Sequence, residues 1–600
     1  MNGAQIAIEA LRREGVRHVA GLPGTTVMHL IDAIGQQPGM RYISARHEQV
    51  AAFMADGYAR ASGGVGVCLA SRGPGAANLA IGVHNAHAES VPVLALIGQV
   101  PDQIYHREAF EEMDLVRFFE PITKWSVEVH ETSRIPELLQ RAVRTALSGR
   151  PGPVMVSLPL DVQIASAEAT FQPTARSAPP APQARAVQET ARLLAGAQRP
   201  VIIAGGGVHG PGYDASLIRV AEGLQVPVVT SWLRKNVFPN DSPMFCGFLG
   251  YGAVPVTEDL VREADVVLAI GCRFSEFTTG RWTLLSPAAT LIQVDIDADS
   301  LGRYYVPAIG ICADAAEATA ALAAAIDALG TGHEITGHET TSLGTTSLGT
   351  TGHETTGHET TGHSGAGWAG AGHAAAGPQQ SAGDLRGPRV KAAHAAYQQQ
   401  AGLPAPPPGA ALVPSAALVA ALRTVLGRTG ATLVQDAPSM GVWIQRHIDF
   451  TSPDTYYAAA GGSMGWGFPA AMGMQLARPH ERIITVSGDG SFWMVAQDLE
   501  TAVRENLPVV NVINNNFSFG NTRDRQRSAH DGRYLGVFYG NPDFAAFARL
   551  LGAHGERVES ADGLVPALDR ALASGRPAIV DVIQDQHEGL PPGLLPPPAR

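Results

Sequence analysis

Cysteine is scarce. Four occur in 600 residues, Cys68, Cys246, Cys272 and Cys312, far apart and with no Cys-x-x-Cys pair. That spacing argues against a disulfide framework or a structural zinc site and fits a reducing, cytoplasmic compartment. Long apolar runs are missing too. None reaches the roughly 18 residues that a membrane span needs. The opening MNGAQIAIEALRREG lacks the basic start and apolar core of a signal peptide. No basic stripe appears and the net charge is −12, so nucleic acid is not an expected partner. Apolar residues make up 45% of the chain, enough for large cores, and the length suggests three or four domains.

The most informative stretch is 481–516. ERIITVS (481–487) reads as a buried strand ending at Gly488-Asp489-Gly490. Ser491 to Asn506 reads as a helix, stopped by Leu507-Pro508. VVNVI (509–513) is a second strand with Asn514, Asn515 and Asn516 at its tip. An acid and an amide thus sit at the carboxyl ends of strands, the edge where open α/β sheets bind ligands. Their hard oxygens suit Mg²⁺ or Ca²⁺. Gly490 and Ser491 open a helix, whose free N–H groups favour a phosphate. The parts describe a diphosphate held through a divalent ion. Alone, Gly-Asp-Gly could equally be a βαβ turn with a capping Asp.

The same alternation runs through most of the chain and predicts an α/β protein of three doubly wound parallel-sheet domains. Residues 1–167 form the first, with Arg46-His47-Glu48 at a strand-to-helix junction and the turn RGPGAAN at 72–78. Glu48 by itself reads as a helix-start glutamate favoured by the dipole. After a connector rich in Ala and Pro, 187–327 form the second. Its Gly205, Gly207 and Gly210 satisfy G-x-G-x-x-G, a weak pattern here because Pro211-Gly212 cuts the expected helix. Residues 328–410 hold pentapeptides such as GHETT and SLGTT with no apolar face and read as a disordered insert. Residues 411–590 form the third domain, and TRDRQRSAHDGRYLGVFYG (522–540) reads as a mobile lid.

RHEQVAAFMADGYARASG, RGPGAAN, GGSMGWGFPAAMG and GDG followed 27 residues later by Asn516 closely resemble the acetolactate synthase-like enzymes that use thiamine diphosphate (ThDP). The resemblance covers nearly everything outside the insert. It implies that Glu48 binds N1′ of the aminopyrimidine and favours the imino tautomer that activates the thiazolium carbon, and that Gln99 is an active-site glutamine. It implies cofactor contacts from Gly462, Ser463, Met464 (a wedge that bends the cofactor), Gly488, Gly490, Ser491 and Asn515. Asp489, Asn516 and the main chain at Ser518 would hold Mg²⁺. Thr25, Phe110 and Lys124 would line the substrate pocket. In the family the central domain carries FAD, while relatives bind ADP or nothing there.

The activity so implied is decarboxylation of a small 2-oxo acid and ligation of the enamine to a second carbonyl. The alternative is a decarboxylase that does not ligate, of the benzoylformate decarboxylase kind, or an aldehyde lyase. The family places each site between two subunits, which implies a homodimer or homotetramer. The chain also departs from the pattern. Thr25-Thr26 follows Pro23-Gly24 where Gly-Ala is usual, and Arg72 stands where a serine commonly precedes Gly-Pro-Gly. Phe277 and Arg525 replace an arginine and a tryptophan that act on the second substrate.

Overall fold

The computed structural model describes residues 1–172, 177–210, 212–331, 382–436, 438–592 and 594. Short β-branched runs form three six-stranded sheets in which every neighbouring pair is parallel. The first holds β1 (His18–Gly21), β2 (Arg41–Ser44), β3 (Gly66–Ala70), β4 (Val93–Gln99), β5 (Trp125–Glu128) and β6 (Val154–Pro159), in the order β2-β1-β3-β4-β6-β5. The second holds β7 (Pro200–Ala204), β8 (Val228–Thr230), β9 (Phe245–Phe248), β10 (Val266–Ile270), β11 (Thr290–Asp295) and β12 (Ile309–Cys312), in the order β12-β11-β10-β7-β8-β9. The third holds β13 (Thr432–Gln435), β14 (Tyr456–Ala458), β15 (Ile483–Gly488), β16 (Val510–Asn515), β17 (His554–Val558) and β18 (Ala578–Ile583), in the order β14-β13-β15-β16-β18-β17. The first and third sheets therefore share one strand order. Each reverses direction between its first and third strands, which opens a crevice at the carboxyl edge.

The outer domains meet through the helices Glu48–Ser62 and Gly467–Ala477. Two glycines make the close approach possible. A Cβ on Gly57 would lie 2.0 Å from the Ala470 carbonyl, and one on Gly473 would lie 1.9 Å from that of Met54. Beside this crossing lies a buried polar network. Trp466 Nε1 donates to Asp56 (3.0 Å), Arg60 pairs with Asp56 (2.6 Å) and Glu89 (3.3 Å), and Arg234 of the central domain reaches Glu89 (2.5 Å). Burial alone would raise the Glu89 carboxyl, but Arg234 and Arg60 outweigh it and hold it at about 2.

Four sequence expectations need correction. The helix expected over 491–506 is broken into Asp489–Trp493, a 3₁₀ turn Ala496–Asp498, and Leu499–Arg504. Asp498 turns inward there to accept the Arg46 N–H and the Thr501 hydroxyl. β16 runs on through Asn514 and Asn515, which pair with Val582 and Ile583, so only Asn516 lies past the strand. Part of the expected disordered insert is the helix Ala382–Gln400, whose Val390, Ala393 and Tyr397 are buried in the central domain. The expected lid contains the helix Gly520–Ala529, anchored by fully buried Arg523 and Asp524. The pentapeptides lie outside the described residues.

Candidate functional site

The carboxyl edge of the third sheet carries one half of the site. β15 ends at Gly488, and Asp489 begins a short helix, 1% exposed. Its carboxylate accepts from Gly490 N–H (2.9 Å), the Tyr539 hydroxyl (2.9 Å) and the Asn541 amide (2.8 Å). No ion pair reaches it among the described residues, and burial pushes its pKa up in spite of those donors. A divalent cation would remove that penalty. Asn516 turns its amide oxygen to Ser518 N–H (3.3 Å) and Oγ (3.1 Å), a turn made by Phe517 in the left-handed region (φ 53°). Asp489, Asn516 and the Ser518 main chain thus lie on two loops of one sheet edge, and all offer oxygen. The donor set fits Mg²⁺.

The helices Asp489–Trp493, Pro438–His447 and Gly520–Ala529 all start at this edge. Ser439 was missed by the sequence reading. A Cβ on Gly520 would stand 3.3 Å from the Asn516 amide nitrogen and 3.4 Å from Ser439 Oγ, which brings that hydroxyl to the site. Pro438 at a helix start was the available signal. Asp436, just past the end of β13, packs against Gly467, where a Cβ would stand 2.5 Å from its own Cβ, and burial pushes its carboxyl up to about 7. This contact lies at the end of the turn that carries Gly462 (φ 73°, open space around it) and half-buried Ser463 and Met464. Asn515 is a correction: it is fully buried and its amide bonds to Asp581 and Asn541, a brace within the domain rather than a cofactor contact.

The other half lies at the carboxyl edge of the first sheet. Glu48 begins its helix with 6% exposure, and its Oε2 accepts from the Asn78 amide at 3.0 Å. Gly75 lets the helix Pro74–Glu89 close in, since a Cβ there would stand 3.1 Å from Glu48 Oε1. Thr25 is exposed and Thr26 is buried against Ser71 (2.8 Å). Arg72 ties the pocket wall together, donating to Thr25 Oγ1 (3.3 Å) and to the Phe110 carbonyl (2.8 Å). Phe110 itself is 76% exposed, on a loop with His106, Glu108 and Glu111 in the left-handed region.

Two expected residues have partners of their own. Gln99 ends β4 at the same carboxyl edge as Glu48 and is buried, with its amide bonded to Met113 O (2.8 Å) and Val100 N–H (2.9 Å). Lys124 precedes β5, at the opposite, amino edge of the sheet, and caps the helix Ile135–Leu147 through Thr145 O (2.5 Å) and Ser148 O (2.6 Å). Phe277 stacks near Trp232 (4.1 Å between ring centres), and Arg525 is exposed.

Within the chain the two halves stand at the carboxyl edges of different sheets. The cofactor turn packs its Gly461 against Asn85, seven residues beyond Asn78, or roughly 10 Å along that helix. A cavity of about 770 Å³ belongs to neither half. It opens at the β7/β10 switch point, lined by Gly206, Gly271, Arg234, Arg273, Arg150 and Asp295. Glycine meets glycine there: a Cβ on Gly205 would stand 2.2 Å from the Gly271 carbonyl.

Comparison with known proteins agrees with this architecture. Residues 1–118, 187–322 and 436–582 match the N-terminal TPP binding domain, the central domain and the C-terminal TPP binding domain of the thiamine pyrophosphate enzymes. The chain belongs to that ThDP-dependent enzyme family. Within it the relatives are acetolactate synthases. The probable acetolactate synthase large subunit of Methanocaldococcus jannaschii is 33% identical over 610 residues, covering 100% of this chain and 94% of that protein. The acetolactate synthase isozyme 2 large subunit of Escherichia coli is 31% identical, covering 100% and 98%.

Proposed function

We propose that this chain decarboxylates a small 2-oxo acid and ligates the remaining carbon to a second 2-oxo acid, as its acetolactate synthase relatives do by name. One acid loses CO₂, its carbonyl carbon bonds to the carbonyl carbon of the other, and the acceptor oxygen takes up a proton. ThDP, when bound, supplies the carbon nucleophile and the electron sink for that loss of CO₂. Glu48 holds the proton shared with the cofactor's pyrimidine ring. Asp489, Asn516 and the Ser518 main chain hold Mg²⁺ on the diphosphate. The Gly462–Met464 turn takes the middle of the cofactor, with Met464 as the wedge. The carrying observation is the pair of half-sites, a buried carboxylate at each of two matching sheet edges.

The resemblance to a family whose sites lie between subunits supports a homodimer or homotetramer with each site shared. The central cavity, ringed by Arg150, Arg234 and Arg273, supports a dinucleotide such as FAD, its diphosphate on the guanidiniums. Buried Cys68, Cys246 and Cys272, unpaired and raised to about 12, support a cytoplasmic home. The deciding experiment is product analysis with ThDP, Mg²⁺ and pyruvate. Acetolactate is expected; acetaldehyde alone would refute ligation. Flavin absorbance in the purified protein tests FAD.

A further inference from the structure

Arg72 is a buried guanidinium at the mouth of the Glu48 half-site, and its donors are not all used. Its side chain is 10% exposed. Of five N–H donors, one goes to the Phe110 carbonyl (2.8 Å) and one to the Thr25 hydroxyl (3.3 Å). Nη2 meets only the Glu111 carboxylate, at 3.9 Å, beyond hydrogen-bond reach. Thr25 and Phe110 are both exposed, so the guanidinium sits between two open residues. Arg72 lies three residues before Gly75, which touches Glu48. Arg46, also near this edge, is occupied by Glu500 at 2.7 Å.

We propose that Arg72, with the Thr25 hydroxyl beside it, seats the carboxylate of the acceptor 2-oxo acid and so selects a second 2-oxo acid over an aldehyde. The proposal rests on the ligation reading above. A guanidinium matches a carboxylate by charge and by its planar fork. Which carboxylate it serves follows from the charge change. The donor's carboxylate leaves as neutral CO₂, so a guanidinium on it would stabilise the ground state more than the transition state. The acceptor keeps its carboxylate unchanged through bond formation. There the ion pair orients the carbonyl without opposing the chemistry.

The test compares wild type with Arg72→Gln, Arg72→Lys and Thr25→Val, each loaded with ThDP and Mg²⁺. Pyruvate serves as donor, with either pyruvate or benzaldehyde as acceptor. Arg72→Gln should shift the ratio of acetolactate to aldehyde-derived products by about 10- to 100-fold, while CO₂ release at saturating pyruvate changes only a few-fold. Arg72→Lys should restore most of the ratio. A merely bracing role would lower all products together and leave the ratio at the wild-type value, which overturns the proposal. If Arg72→Gln fails to fold, as judged by ThDP binding, Thr25→Val decides: it should shift the ratio the same way, less strongly, and an unchanged ratio refutes the assignment. If wild type releases no CO₂ from pyruvate, the ligation reading itself fails and the proposal falls with it.

Discussion

Single carboxyls carry much of the chemistry, and their surroundings set what each can do. Glu48 is nearly enclosed and touches an amide rather than a cation. Glu48→Gln keeps the Asn78 contact in outline but cannot carry a proton. Turnover should drop about 100-fold or more, while ThDP binding, followed by calorimetry, persists. Asp436 makes a second prediction. Its carboxyl is raised to about 7, mainly by burial. Between about pH 4 and pH 7 the folded state therefore keeps a proton that the unfolded chain has released. Unfolding is then favoured as pH rises through this window, by up to about 4 kcal/mol from this group. Asp436→Asn should melt higher than wild type at pH 8 in the cofactor-free protein, with the gap closing towards pH 4. A constant gap across pH would refute the assignment. Motifs made Glu48, Asp489 and Asn516 legible in the sequence. Lys124, expected in the pocket, stands at the opposite edge, because a motif gives chain position and only the sheet reveals which edge a side chain occupies.

At the level of elements, helix crossing is controlled by missing side chains. Gly57→Ala adds a methyl that would meet the Ala470 carbonyl at 2.0 Å. Alanine favours a helix by up to about 1 kcal/mol over glycine, but overpacking here should cost about 1–3 kcal/mol. The melting temperature should fall. Gly427, in the helix Ser415–Thr429, has open space around its Cβ position. Gly427→Ala should raise stability by about 0.5–1 kcal/mol. If both variants move the melting temperature the same way, the packing account fails. Strand and helix alternation was readable because period and turn residues are local. The broken helix after Asp489 was not, since Asp498 is drawn inward by Arg46, more than 400 residues away in sequence. The helix Ala382–Gln400 was hidden by its neighbours: low-complexity sequence on one side masked the buried Val390, Ala393 and Tyr397.

For the whole molecule, two domains of one strand order each present half of a site. Complementation tests whether a second copy completes it. Glu48→Gln and Asp489→Asn chains, each inactive alone, are unfolded, mixed in equal amounts and refolded. Shared sites should recover about a quarter of wild-type activity, since half the dimers are hybrids and one site in each hybrid is intact. Sites built within one chain would recover none. The sequence could suggest this only by resemblance, because no local pattern encodes which copy a half-site faces.

Sites shared between subunits, as proposed, would make dilution a variable of the reaction. A monomer holding only halves would then be silent, so specific activity would follow the fraction associated, and ligands that span the junction would draw subunits together by mass action. At low protein concentration, adding cofactor should then produce a lag whose length shortens as protein is raised. An assay run there reads assembly rather than turnover.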